Sequence, residues 1–578
     1  MNNIAFNDEK IKLLAQIQKS LCDLEPNATD ESIDEIISKI PTIYFTEKDN
    51  LMIICELFAI YTRNKFKSTK NNSIRLFGKI MEPIKAYLKN ESSFFWNIFG
   101  GIYSFKLWMF QEGLISIETI IQSVKKDQTS SIIDFFFPEI IERHPEIFEK
   151  ELKYKMKKKI SEDDIINFKK IRKKYFQWIK KSGDYNDLSY KEIETNELRL
   201  SIKRDDIELF QKLFSNLKLS TNSKIKESLI ENFLYFPKDM TLLEYAIEYD
   251  AIKIVKFLMS KNNIITDGEI YCAISSNDHE MVKTIESKNK EIFSKLSLSN
   301  SISNWNNEVT RYTLNKNKKY DYIQQRDAQI NDFDDLMNIF SNTFFYCNFM
   351  FFESTLVPFM KNNQYFIDQN INEILFTTFS EHSCFFTKIF FMHPNVDINY
   401  YSKNKHHTFL GKAICEENLK AVKLLLNHPD IDPNKLANNI FTPLILGCGS
   451  YCCIEIIKQI CRHPKFNINL RDKRYHLRAY EISLLRGNIY ASQFLFDNFP
   501  DFICDSEISI IYNSIQQHYL MTLKIFLAYY KNIKYTEIIN SIRVNYSRSK
   551  SYNEEIIEEF KQMYSEIMKS KIECVKYI

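Results

Sequence analysis

Five residues late in the chain have the types a zinc ion prefers: Cys448, Cys452, Cys453, Cys461 and His463. Thiolate and imidazole are good zinc donors, and structural sites hold them in paired, closely spaced sets. That paired spacing is absent, and His463 has counterparts at His393 and His428 with no comparable thiols nearby. Small buried cysteines beside a helix-end histidine account for the group, and no metal is assigned. The acid pairs Asp205-Asp206 and Asp334-Asp335 have the chemistry of a general acid and base. They stand where helices meet or start, so capping and turn formation explain them. Gly447-x-Gly449 is the nearest approach to a phosphate-cradling loop and lies inside a helical pattern. There is no His-Glu-x-x-His and no Gly-x-Ser-x-Gly. No catalytic residue, cofactor or small-molecule substrate is assigned, and the chain reads as a non-enzyme.

His463 belongs instead to a ladder. The heptads His393-Pro394-Asn395-Val396-Asp397-Ile398-Asn399, His428-Pro429-Asp430-Ile431-Asp432-Pro433-Asn434 and His463-Pro464-Lys465-Phe466-Asn467-Ile468-Asn469 recur every 35 residues. A fixed period of that size marks a stack of supersecondary units. In the clearest unit Thr408 opens a helix whose Leu410, Ala413 and Ile414 share one face. Asn418 turns the chain by tolerating left-handed backbone, and Val422, Leu425 and Leu426 form the buried face of a second helix. Proline then stops that helix, with the histidine ring placed to bond its last carbonyls.

Composition agrees with helices. Only 10 glycines occur in 578 residues, and sandwiches, barrels and nucleotide loops spend glycine freely on turns of positive φ. A hydrophobic share of 44% with 26% charged residues is that of an ordinary folded chain. The net charge of +3 argues against a whole-molecule field built for nucleic acid. Scattered cysteines and a start without a basic and then apolar leader point to a reducing, cytoplasmic or nuclear setting. The most apolar window, Phe94 to Phe110, is interrupted by Asn97, Gly100, Gly101 and Lys106, which predicts a buried aromatic helix pair rather than a membrane span.

The resulting organisation is all-α: an N-terminal helical domain over 1–130, a basic helical connector over 131–195, helix-pair repeats over 196–305, a degenerate helical segment over 306–370, the register-keeping repeats over 371–502, and a C-terminal hairpin with a capping helix over 503–578. Helices are predicted at about 47–62 and 74–89, and the polar run 308–330 reads as a long loop.

Thr442-Pro443-Leu444 with a small residue at Gly447 resembles the opening of an ankyrin repeat, and Val422-Lys423-Leu424-Leu425-Leu426 is similar to the second ankyrin helix. Ile445 stands where ankyrins place His, His-Pro stands where they place Gly-Ala, and the period exceeds the ankyrin value of about 33. Phe136-Phe137-Pro138-Glu139-Ile140, Ile202 to Ile207 with Phe210-Gln211, and Thr241-Leu242-Leu243-Glu244-Tyr245-Ala246 occur in that order. Together with Gly113 to Glu118 they resemble a large family of ankyrin-repeat proteins in parasitic protists whose middle region is a domain of unknown function. The resemblance implies an ankyrin-like helix-pair solenoid with short hairpin loops, a binding role, and no catalytic residues.

Stacked repeats present an extended concave surface. By the resemblance, hairpin tips at Ser402 to His407, Lys435 to Ile440 and Leu470 to Tyr475 line it. The candidate partner-binding residues are Lys403, Lys405, His406, Lys435, Asn438, Arg471, Lys473, Arg474 and Tyr475. Their positive charge, opposed by Asp472, favours a protein partner with an acidic surface. The alternative is nucleic-acid binding by 150–181, where Lys and Arg interleave with Tyr154, Phe168, Tyr175, Phe176 and Trp178. A third reading, an enzyme site within 290–370, requires polar groups gathered in a pocket.

Overall fold

A computed structural model describes residues 8–25, 28–127, 131–153, 162–181, 196–226, 239–261, 265–276, 279–288, 295–316, 320–324, 333–380, 384–450, 452–499, 507–517 and 519–529, with 536, 539–540, 554, 557–566 and 569. These residues are predominantly helical. Among them, strands occur only in two antiparallel hairpins, Lys224–Lys226 with Asp239–Thr241 and Tyr401–Ser402 with His407–Thr408. None of the described helices is long and apolar enough to cross a membrane. Internal contacts divide the chain into Met1–Ile115 with Ile160–Val396, and Ser116–Lys159 with Asp397–Ile578. The division falls at Ile115–Ser116, inside the stretch 1–130 that the sequence reads as one domain.

The first unit begins with Asp8–Cys22, Asp30–Ser38 and the 32-residue helix Lys48–Lys79. The sequence predicts a break near 63–73, but that polar run contains neither glycine nor proline, and the helix passes through it. Met81–Tyr87 follows as a separate helix. Ser92–Ile98 and Tyr103–Gln111 form the expected aromatic pair, divided at Gly100, whose φ is +52°. Phe77, Phe99 and Phe105 are fully buried against one another there. Each contributes about 2 kcal/mol by leaving water.

Helix pairs follow within the same unit: Glu197–Lys203 with Ile207–Asn216, Leu242–Glu248 with Ile252–Lys261, Asp267–Ser276 with His279–Glu286, and Lys295–Ser303 with Asn307–Lys316. Phe333–Phe345 pairs with a run that starts at Phe349–Phe351, widens by one residue over Phe352–Leu356 and ends as Val357–Asn362. Gln364–Thr378 pairs with Phe385–Phe391. First helices stack on first helices from 242–248 through to 364–378. The N-terminal helix Asp8–Cys22 packs on the widened run, where Gln18 donates to Asn348 Oδ1 at 3.2 Å and accepts from the Met350 N–H at 2.9 Å. Helix Asp8–Cys22 is therefore tied into the helix pairs of its unit.

The second unit contains Ile117–Lys126 and Ser131–Arg143, then the pairs Phe409–Cys415 with Leu419–Leu426, Pro443–Gly449 with Ile454–Arg462, Ala479–Leu485 with Ile489–Asn498, and Glu507–Gln516 with Leu520–Tyr529. Again first helix packs on first helix and second on second. Residues 557–566 are helical, with Ile557, Phe560 and Met563 buried.

One turn joins the two helices of many pairs. The N–H of Asp206, Asn306, Asn348, Asn418 and Asn488 donates to the carbonyl five residues back, at 2.8 to 2.9 Å. That carbonyl always belongs to a small or hydroxylated residue: Ser201, Ser301, Thr343, Ala413 or Ser483. The residue before each cap is left-handed: Asp205, Trp305, Cys347, Glu417 and Gly487. The sequence assigns left-handed backbone to Asn418; in the structure Glu417 takes it, at φ +54°, and Asn418 caps the second helix by accepting from the Ala421 N–H at 2.9 Å. A side-chain cap is worth about 1 kcal/mol, comparable to the strain of left-handed backbone at a non-glycine residue. Asn306, Asn348 and Asn488 also donate to carbonyls of the preceding pair's first helix, at Ile274, Ile302 and Cys448.

Over 308–316 the same turn corrects the reading of 308–330 as a loop, while 317–319 and 325–330 lie outside the described residues. Asn307–Lys316 is a helix in register with its neighbours. Its inward face hides from a hydrophobic pattern because Thr310 and Thr313 are buried, with hydroxyls bonded to Asn306, Ser301 and Val309.

Candidate interaction surface

The His-Pro copies share one local geometry. Nδ1 of His393, His428 and His463 accepts the backbone N–H two residues on, from Asn395, Asp430 and Lys465, each at 3.2 Å. The sequence predicts the ring on the helix carbonyls; instead the histidine backbone N–H closes the helix, at 3.1 to 3.2 Å, and the ring folds over the proline turn. Accepting at Nδ1 requires the neutral ring. Partial burial and the Lys465 ammonium lower the His463 pKa, against a pull from Asp432.

Past the proline, Asp397, Asp432 and Asn467 each accept from the N–H two residues on, at 2.9 to 3.0 Å. The asparagine that ends the motif reaches the next repeat. Asn399 donates to the Asp430 carbonyl and accepts from the Asp432 N–H, both at 2.8 Å. Asn434 repeats this with the Lys465 carbonyl at 2.6 Å and the Asn467 N–H at 3.1 Å. Lys435 and Lys465 donate to the Asn399 and Pro429 carbonyls, at 2.6 and 2.9 Å.

The tips are therefore held on a stitched frame. Thr408 N–H donates to the Ala437 carbonyl at 2.7 Å, and Lys473 N–H to the Ile440 carbonyl at 2.9 Å, so each tip is bonded to the next. Asn438 Oδ1 shapes its own tip by accepting from Ile440 and Phe441. Arg471 donates to the His476 carbonyl at 2.8 Å. Lys435, Asn438 and Arg471 thus serve the frame. Lys403, Lys405, His406, Lys473, Arg474 and Tyr475 are exposed. Tyr475 is 52% exposed with the Arg474 guanidinium 5.2 Å from its ring centre. Asp472, the acid of the tips in the sequence, is buried, and its carboxylate accepts from the N–H groups of Arg474, Tyr475 and Leu477 at 2.6 to 2.8 Å.

Elsewhere, Asp206 caps its helix by accepting from Leu209, and the carboxylate of left-handed Asp205 accepts from Lys253 and Ile254 of the neighbouring pair, both at 3.1 Å. Asp334 and Asp335 lie in the first turn of Phe333–Phe345. Among the described residues no three His, Cys, Asp or Glu side chains are placed to share a metal ion. Burial raises the thiol pKa values of Cys448 and Cys452 well above the ordinary range and pushes Cys461 up to about 12. In the basic stretch, helix Glu162–Lys181 buries Phe168, Tyr175 and Trp178, with Arg172 stacked on Phe168. Those three rings offer no face to a nucleic-acid base. Tyr154 lies outside the described residues.

The first unit also holds a cleft of about 680 Å³ that the sequence does not reveal. One wall is Lys12, Ala15, Gln16 and Lys19, a single face of Asp8–Cys22. The second is Asn307, Arg311, Leu314 and Asn315 of Asn307–Lys316, with Ile323 beyond. The third is the widened run, through Met350, Phe351, Glu353, Ser354, Thr355 and Pro358. Lys12, Lys19 and Arg311 are exposed at its rim, and none forms an ion pair with a described residue.

Comparison with known proteins gives no further assignment: no protein-family model matches the chain, and no curated protein matches it.

Proposed function

We propose that the chain is an ankyrin-type scaffold, without catalytic activity, that binds an acidic surface of a partner protein through successive hairpin tips. The observation that carries this reading is the stitched frame at 399–477. Tip is bonded to tip, and the frame leaves Lys403, Lys405, Lys473, Arg474 and Tyr475 exposed. Cations held on rigid backbone cost less entropy to engage than cations on free loops. Stacked helix pairs support the ankyrin resemblance, as does Thr442, which caps Pro443–Gly449 by accepting from Ile445 at 3.4 Å.

The test is affinity capture from native lysate with the full chain and with a Lys403→Glu, Lys405→Glu, Lys473→Glu, Arg474→Glu variant. These side chains are exposed, so the variant is expected to fold with unchanged circular dichroism. A partner captured by the native chain is expected to fall by at least about tenfold with the variant, and more sharply at low salt. Equal capture by both proteins overturns the assignment of the tips.

A further inference from the structure

The cleft in the first unit does not depend on the reading of the tips. Its walls come from residues 12–19, 307–315 and 350–358, brought together by the packing of Asp8–Cys22 on the widened run. Three features bear on what it holds. Its size, about 680 Å³, falls in the range of small-molecule sites, about 300 to 1,000 Å³. Its charge is one-sided: Lys12, Lys19 and Arg311 stand against Glu353. One wall is an α-helix widened by a residue, over Phe352–Leu356. Such widenings are rare and recur at functional sites, because the extra residue redirects side chains out of helical register. Here Glu353, Ser354 and Thr355 of that turn line the cleft.

The arrangement selects a chemistry. Arginine presents a planar fork to phosphate oxygens and lysine a point charge. Lys12 and Lys19 lie two helical turns apart, about 10 Å along the axis. A ligand with more than one phosphate meets both without drawing the two side chains together. The floor beneath them is apolar, with Leu314, Ile323 and Phe351 buried beside Met350. We propose that this cleft binds a small organic polyphosphate, its phosphates on Lys12, Lys19 and Arg311 and its less polar body over Leu314, Ile323 and Met350.

The test is calorimetric titration of the full chain with ATP, with inorganic tripolyphosphate, and with a polyglutamate peptide. ATP is expected to bind, and tripolyphosphate about tenfold more weakly because it leaves the apolar floor uncovered. Lys12→Glu and Arg311→Glu are each expected to lower ATP affinity by at least about tenfold, with circular dichroism unchanged. Lys12→Gln and Arg311→Gln give the same direction should a reversal disturb folding. Lys473→Glu, on a hairpin tip, is expected to leave ATP binding unaltered. The proposal is overturned by no ATP binding at millimolar concentration, by tripolyphosphate binding as tightly as ATP, by equal loss in Lys473→Glu, or by tighter, Arg311-dependent binding of polyglutamate.

Discussion

Histidine at the proline turns works as an acceptor, and that makes its charge state a matter of stability. His463 Nδ1 accepts the Lys465 N–H, and its pKa lies below the ordinary value because of partial burial and the Lys465 ammonium. A group whose folded pKa is depressed stabilises the fold above its unfolded value, about 6.5, and loses that contribution as pH falls through the folded value. Thermal unfolding midpoints are therefore expected to fall between about pH 7 and pH 5 partly through this ring. His463→Asn keeps a neutral acceptor and is expected to unfold within about 0.5 kcal/mol of the native chain at neutral pH, with a shallower decline into acid. Parallel pH curves for the two proteins count against a role for the ring. The His-Pro spacing was plain in the sequence, but the bond it makes was not. The helix end and the proline turn both offer the ring partners, and only the folded backbone decides between them.

At the scale of the helix, close approach limits what each repeat tolerates. A Cβ on Gly411 would lie 2.7 Å from the Ala437 Cβ and 2.8 Å from the Ala437 carbonyl oxygen, where that carbonyl receives the Thr408 N–H. Alanine is the better helix former by about 1 kcal/mol. The collision is with backbone, which cannot rotate away, so Gly411→Ala is expected to destabilise by about 1 to 3 kcal/mol in urea. A neutral or stabilising result would show that the tip gives way. The helix pairs were legible where apolar spacing is strong, as at Leu410, Ala413 and Ile414. They were hidden where threonine fills the interior, as at Thr310 and Thr313, because a buried hydroxyl bonded to its own helix reads as polar in sequence.

At the scale of the whole molecule, successive helix pairs within each unit pack on one another, so a local loss is expected to stay local. Asn434→Ala removes the bonds to the Lys465 carbonyl and the Asn467 N–H. The turn is exposed, so the expected cost is about 1 kcal/mol. In native-state hydrogen exchange the amide of Asn467 and its neighbours in the turns at 428–434 and 463–469 are expected to exchange faster, while the pairs over 197–286 keep their protection. Acceleration spread evenly over the chain would instead mean that the stack opens as one unit. The sequence shows the spacing of the motif and the identity of its last residue. It does not show the cleft, whose first wall, 12–19, is distant in sequence from the other two, 307–323 and 350–358, and shares no motif with them.

The asparagine rungs also set a rule for how such a chain grows or shrinks over generations. Asn399 and Asn434 each reach residues at fixed offsets, 31 for the carbonyl and 33 for the N–H. Inserting or deleting one or two residues within the helices between rungs would carry the partners of the amide out of reach, whereas an extra residue at an exposed tip can bulge outward and leave them in place. Gaining or losing a complete 35-residue module would close the ladder again with every offset intact. Length variation between relatives of this chain is therefore expected in steps of whole modules over 393–469, with small insertions confined to the exposed tips between the rungs.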